Sequence, residues 1–288
     1  MGLPNNAEQE LLALINRFRA DPAGEAGRII GGVGMTAGEV AAVNSALIYF
    51  SVDTALFTQQ MATLTSAPPL AWNSLLDGAA AAHSALMITA DTQSHQLPGE
   101  AGLGPRVAAT GYNYSSLGEN IYAFASSPQY AHAGFVVDWG YGSGGMQTPA
   151  GHRLNLINAG FSEIGIDITP ESNFATNVGP LVVTQDLGRQ QGYAPQIVGV
   201  VFDDGDGDNA YDAGEGRGGV SVAVVGTGGS FATTTWASGG YQIAVPAGNY
   251  TVTFSGGGIT GSYAVAATVA AANVAVDARA AQFAPLHT

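Results

Sequence analysis

The stretch PAGHRLNLINAGFSEIGIDI, residues 149–168, carries three patterns in quick succession. Gly151 lets the backbone turn sharply, and Leu154, Leu156 and Ile157 then follow at helical spacing. Asn158, Ala159 and Gly160 read as a turn. Ile164, Ile166 and Ile168 alternate with other residues, the period of a strand. A short helix running through a tight turn into a strand predicts an α+β layered domain with antiparallel strands. The stretch also sets His152 beside Arg153, in a chain that has only five histidines and eight cationic side chains.

The same alternation of helix and strand surrounds this stretch. In NNAEQELLALINRFRAD, Asn5 with Glu8 three residues on predicts a capping box, and Leu11, Leu12, Ile15 and Phe18 form an apolar stripe. GEVAAVNSALIYF and TALFTQQMATL read as helices, as does NSLLDGAAAAHSALMITAD, where Leu75, Ala79, His83 and Met87 recur every four residues. SEIGIDI and PLVVTQDLG read as strands.

After RQQGYAPQ the texture changes to Gly, Val, Thr and Ala. QIVGVVFD, GVSVAVVG, SFATTTWA, GYQIAVPAG and NYTVTFSG are short strands with glycine punctuation, and Tyr250, Val252 and Phe254 share one face of the last. Such spacing predicts a β-sandwich. The expected organisation is a first domain over 1–190, a linker over 191–196 and an all-β module over 197–288.

Lysine and cysteine are both absent, so every cation is arginine. Without cysteine there are no disulfides, thiolate metal sites or cysteine nucleophiles. The net charge of −14 leaves no basic patch for phosphates, which argues against nucleic acid and anionic membrane surfaces and for cations as partners. No run of 18 apolar residues exists to span a membrane. The opening MGLPNNAEQELL has neither a basic n-region nor an apolar h-region, so no signal peptide is read there.

Among the histidines, His83 lies on an apolar helical stripe and reads as a core residue. His132 reads as structural or surface, and His287 is close to the C-terminus. His95 falls in a polar loop and His152 at a helix start, with Glu119 between them in LGENIYAF. Two imidazoles and a carboxylate can form a zinc-type site with an open position, or carry out acid–base chemistry. Separations of 24 and 33 residues match no compact ligand motif, so spacing alone favours a structural role over a functional one.

AAAAHSALM, SHQ, GENI, Trp139, GHRLNLIN, FSEIGI and TQDLG stand in the order of the CAP superfamily, which comprises cysteine-rich secretory proteins, antigen 5 and pathogenesis-related proteins. Residues 7–190 resemble that family, and VDWGYGSGGMQTPAGHR is similar to its bacterial branch. The resemblance implies an α-β-α sandwich (the CAP fold) with a cleft carrying two histidines and two acids. By motif these are His95, Glu119 and His152, with Gly142 where many members place the second acid. Asp138, beside Trp139, is the candidate substitute. Arg153 is expected to contact carbonyls or a carboxylate, with Glu163 as the candidate.

The second region holds DGDGDNAYDAGE. Counting Asp204 as position 1 puts Asp206, Asp208, Ala210, Asp212 and Glu215 at positions 3, 5, 7, 9 and 12, the ligand spacing of a calcium loop in which position 7 offers its carbonyl. An ordinary acidic turn is the alternative, yet clustering five carboxylates without a cation is repulsive. Asn209 stands at position 6 in place of glycine and tolerates the left-handed conformation. VVFDDGDGDNAYDAGEGRGGVSVAV resembles the calcium-binding B-type repeats of bacterial surface adhesins, and GGYQIAVPAGNYTVTF resembles the matching part of related carboxypeptidase-regulatory-like modules; over about residues 195–280 this implies a prealbumin-like β-sandwich.

The combined expectation is a secreted or cell-surface protein. Its cleft would hold zinc or another divalent metal and/or a small apolar, lipid-like ligand, and its calcium-stiffened module would make cell-surface or matrix contacts. The alternative is a metal-dependent peptidase with His95 and His152 on the metal and Glu119 as general base.

Overall fold

The computed structural model describes residues 2–173 and 175–284; His287 lies outside them. The chain divides into two compact units. The first is built mainly from Leu14–Ala67 and Asn73–Gln191, the second from Leu3–Ala13, Pro68–Trp72 and residues 192 onward. In chain order the first part of the sequence forms α1 (Asn6–Ala20), α2 (Pro22–Gly31), α3 (Ala37–Tyr49), α4 (Thr54–Ala62), β1 (Ala71–Trp72), α5 (Ser74–Ala90) and α6 (Leu103–Ala109). β2 (Tyr114–Ala125), α7 (Pro128–Val137), α8 (Gly151–Ile157), β3 (Glu163–Pro170) and β4 (Leu181–Gln190) follow.

The helix ends follow local chemistry. Asn5 and Glu8 close a reciprocal capping box at α1, with each backbone N–H donating to the other's side chain at 2.9 and 3.0 Å. Asp21, Thr36, Asp53, Asn73 and Ser127 cap the next helices through side-chain oxygens. The apolar stripe of α1 is buried at Leu11, Leu12, Ile15 and Phe18. Helix α2 joins the expected set, introduced by Pro22 at its first turn and stopped by Gly32 at φ 68°.

In the first unit β3 and β2 both pair antiparallel with β4, so Asp186 lies opposite Gly165 on one side and Glu119 on the other. Successive strand residues point to opposite faces. Thr184 of β4 meets Ser84 of α5, whereas Gln185 next to it meets Asn120, whose amide also reaches His152 of α8. Helices therefore cover both faces, giving three layers. Gly165 allows α5 to lie directly on β3, because a Cβ there would come within 1.9 Å of the Asp77 backbone nitrogen.

Among the described residues beyond 192 the second unit carries eight strands, β5 (Gln196–Phe202), β6 (Val220–Gly226), β7 (Gly229–Thr234), β8 (Gly240–Ala244), β9 (Gly248–Gly256), β10 (Ile259–Val269), β11 (Val274–Ala275) and β12 (Ala278–Arg279), and a 3-10 turn at Ala280–Gln282. One sheet runs β10-β9-β6-β7; in the other β5 pairs antiparallel with β8 and parallel, in a single register, with β11 and β12. Ile197 and Val201 from one sheet join Val222, Val224, Val252 and Phe254 from the other in a single core. Tyr250, Val252 and Phe254 face it, as their alternation requires.

Candidate functional site

The pair His152–Arg153 fastens the start of α8 to the end of α7. Asp138 caps α7 in the left-handed conformation, φ 56°, and is buried. One of its carboxylate oxygens accepts from the His152 backbone N–H at 2.9 Å and the other from the ring Nδ1 at 2.7 Å. Arg153 donates to the last carbonyls of α7, Val136 and Val137, at 2.6 Å each, and to Gln60 at 2.6 Å. A cation at a helix C-terminus meets the negative end of the dipole and satisfies carbonyls that have no helical partner. Glu163 is not the partner of Arg153. Its carboxylate accepts from Asn73 at 2.7 Å and Tyr112 at 2.8 Å, and burial pushes its pKa up.

Gly142 cannot carry the second acid, because a Cβ there would come within 2.1 Å of the Met146 carbonyl oxygen. The carboxylate that meets the His152 ring is that of Asp138.

His95 is held in a parallel way. Its Nδ1 lies 2.8 Å from Glu119, which β2 presents from a buried position. The other Glu119 oxygen accepts from Arg106 of α6. Arg106 also reaches Glu100, at 3.3 Å, and Glu100 accepts from Nδ1 of His83 at 2.7 Å. Burial, with the nearby Arg106 charge, holds the His95 pKa below the ordinary range. An ionised carboxylate only accepts, so neutral His95 and His152 carry their proton on Nδ1 and keep the lone pair on Nε2.

Glu119 therefore stands behind His95 as its orienting partner. Among the described residues, His95, Glu119 and His152 do not form a group whose donor atoms all lie within 4.8 Å of one another. His132 is wholly buried and bonded through Nε2 to Glu25 at 2.8 Å. Burial disfavours the charged form of Glu25, but His132 and Arg17 outweigh it and bring its pKa down to about 2.

The sequence reading missed the aromatic cleft. A cavity of about 900 Å³ is lined by Tyr49 and Phe50 from the end of α3, Tyr122 and Phe124 from β2, and Tyr130 and Phe135 from α7. Trp139, Tyr141, Gln93, Gln147 and His152 complete much of the wall; His95 and Glu119 do not line it. Phe50 and Trp139 stack with an interplanar angle of 9°. Scattered aromatics gave no periodic signal, and Arg106, Glu100 and Asp186 gave none either. Only the scarcity of cations could have singled out Arg106 inside LGPRVAA.

Residues 12–187 match the model of the cysteine-rich secretory protein family, CAP. The chain belongs to the CAP family. It does so with no cysteine at all, so packing and buried ion pairs hold this CAP unit together. Among solved structures, the chain is similar to an extracellular protein of Bacillus anthracis containing an SCP domain, at 25% identity and a TM-score of 0.33. That match covers 51% of this chain and 41% of the other, so the chain spans well under half of that protein's length. It is also similar to an outer surface protein of Borrelia burgdorferi, at 13% identity and a TM-score of 0.34, over 48% of this chain and 91% of that one. No curated protein matches the chain. Among the described residues, no single helix is long and apolar enough to cross a membrane.

The loop at residues 204–215 is the other candidate site. Ligand oxygens of Asp204, Asp206 and Asp208 lie within 4.8 Å of one another, and so do those of Asp206, Asp212 and Glu215. Glu215 accepts from the Gly205 and Asp212 amides at 2.6 and 3.2 Å, which closes the loop on itself. Asn209 takes φ 67°, the left-handed conformation expected at position 6. Ala210 donates its N–H to Asp208 at 2.7 Å.

Proposed function

We propose that this chain is a secreted or cell-surface CAP protein that binds a divalent metal ion, zinc by its donor set, together with a ligand that has an apolar face. The observation that carries the reading is His152. It lies in the wall of the aromatic cleft, and Asp138 fixes its ring through Nδ1. A ligand imidazole oriented by a carboxylate is the usual arrangement around protein-bound zinc. His95, oriented by Glu119, is the second nitrogen donor, and waters complete the shell. The family's description as secretory supports the location.

Against Glu119 as the general base of a hydrolase stands its engagement, one oxygen by His95 and the other by Arg106. The test is zinc titration of the purified protein. Binding should be lost in His152→Ala and weakened about 10–100-fold in Asp138→Asn, which keeps the left-handed backbone accessible but removes the charge. Unchanged zinc affinity in both variants rejects the assignment.

The second unit is proposed to be a prealbumin-like sandwich stiffened by calcium on the 204–215 loop. An all-oxygen donor set drawn from Asp204, Asp206, Asp208, Asp212, Glu215 and the Ala210 carbonyl suits a hard cation with six to eight ligands. The two overlapping oxygen clusters that share Asp206 support this. The unit would act as a spacer or adhesion module at a cell surface or matrix.

A further inference from the structure

The cleft has a composition that decides what kind of ligand it suits. Large aromatic faces stand open to solvent at its rim: Tyr141 is 87% exposed, Tyr49 69% and Phe124 45%. The Tyr49 and Tyr141 hydroxyls meet at 3.2 Å, which ties the end of α3 to the loop after α7. Phe50 packs edge-on against both rings, 4.9 Å from Tyr49 and 5.4 Å from Tyr141 between centroids. Among the described residues, the polar part of the wall is made of uncharged groups, Ser45, Gln93, Ser126 and Gln147, with His152 the one titratable non-tyrosine side chain.

We infer that the cleft binds a neutral oligosaccharide. This rests on reading the cleft as a ligand site and names the ligand class. A sugar ring has an apolar C–H face and an equatorial edge of hydroxyls. Rigid tyrosine and phenylalanine rings match the face, and amides, hydroxyls and tyrosine O–H groups match the edge. A wholly apolar ligand would leave those amide and hydroxyl groups without hydrogen bonds, which a site built around them rejects. Charge removes the other large class of glycans. The protein carries −14 and the wall offers no arginine, so an anionic polysaccharide would be repelled. The exposed rim suits a chain that enters and leaves the cleft, rather than a molecule enclosed by it.

The experiment uses the full chain and calorimetric titration with cellotetraose, chitotetraose and maltotetraose, alongside cholesterol and palmitate as apolar probes. At least one tetrasaccharide is expected to bind with a Kd below about 1 mM. Tyr141→Ala should weaken it about tenfold or more, while Tyr141→Phe, which keeps the ring, should weaken it far less. Tyr141 is so exposed that its truncation leaves the fold intact, and Phe124→Ala provides a second, independent rim variant. No tetrasaccharide binding up to about 10 mM overturns the inference, as does binding that neither rim variant changes, or capture of only cholesterol or palmitate. Zinc titration of the same samples separates the two readings. Zinc binding without sugar binding overturns the saccharide alone, and sugar binding without zinc binding overturns the metal alone.

Discussion

Asp186 lies at the centre of the sheet, fully buried, and neither of its carboxylate oxygens has a hydrogen-bond partner among the described residues. Burial raises its pKa to about 7, with Arg106 opposing the rise and Glu100 adding to it. An unfolded aspartate titrates near 3.9. Between about 4 and 7 the folded chain therefore holds a proton that the unfolded chain has released. Stability from this group is intact below about 4 and is lost as pH rises through 7. Asp186→Asn, which cannot ionise, should gain stability relative to the wild type between pH 4 and pH 8, by at most about 4 kcal/mol. Urea denaturation at both pH values checks this, and a difference that does not change with pH removes the argument. Glu25 acts in the opposite sense. With its pKa held down to about 2, it contributes stability above the ordinary carboxylate range that is lost as pH falls toward 2. Residues of this kind were illegible in the sequence. Asp186 stands in TQDLG like any strand aspartate, and only the layers on both sides of the sheet remove it from water.

At the scale of elements, legibility followed locality. The capping box at Asn5, the stripe of α5 and the alternation of β9 depend on neighbours within a few residues, and all three formed as expected. β10 went unread because GSYAVAATV uses alanine and glycine where longer strands use valine and isoleucine. The contacts of His152 and Arg153 were half-legible: their role at a helix start could be read, but Val136, Val137 and Asp138 come from a different helix. Glu163 was misassigned because opposite charge in the sequence says nothing about which face a strand residue takes. Close approach between elements makes a sharper prediction. Gly165 has an ordinary strand conformation, so its role is space alone: α5 backbone atoms at Asp77 and Leu76 would lie 1.9 and 2.2 Å from a Cβ. Gly165→Ala must therefore push α5 off β3, at a cost of about 3 kcal/mol or more. Thermal melting should show it, whereas Gly151→Ala, with nothing within 4 Å of the added carbon, should cost far less. Equal losses in the two variants would show that the helix yields easily.

For the whole molecule, the decisive quantity is charge and where it resides. Three of the eight arginines, Arg19, Arg106 and Arg153, are buried on carbonyls or carboxylates, and Glu8, Glu10, Glu25, Glu119, Asp138, Glu163, Asp167 and Asp186 are buried too, so the acidity left at the surface comes from the remaining exposed carboxylates. The loop at 204–215 concentrates that acidity. Five carboxylates fall within twelve residues, and Arg279 reaches only Asp204, at 3.5 Å. Folding gathers like charges, and a divalent cation removes the repulsion. An ion that binds the folded loop alone stabilises it by about 2.7 kcal/mol at a hundredfold excess over its Kd. Calorimetry of the full chain should accordingly show one transition rising on the order of 10 °C between chelator and saturating calcium. Magnesium should raise it less, because it keeps its waters and demands a tighter octahedron. Sodium chloride at matched ionic strength should not reproduce the rise, since screening weakens the repulsion without filling the site. Asp206 belongs to both oxygen clusters, so Asp206→Ala should abolish the calcium response while leaving zinc binding at His152 unchanged. If chelator and calcium give the same melting curve, the loop is an acidic turn and the second unit is stable without an ion.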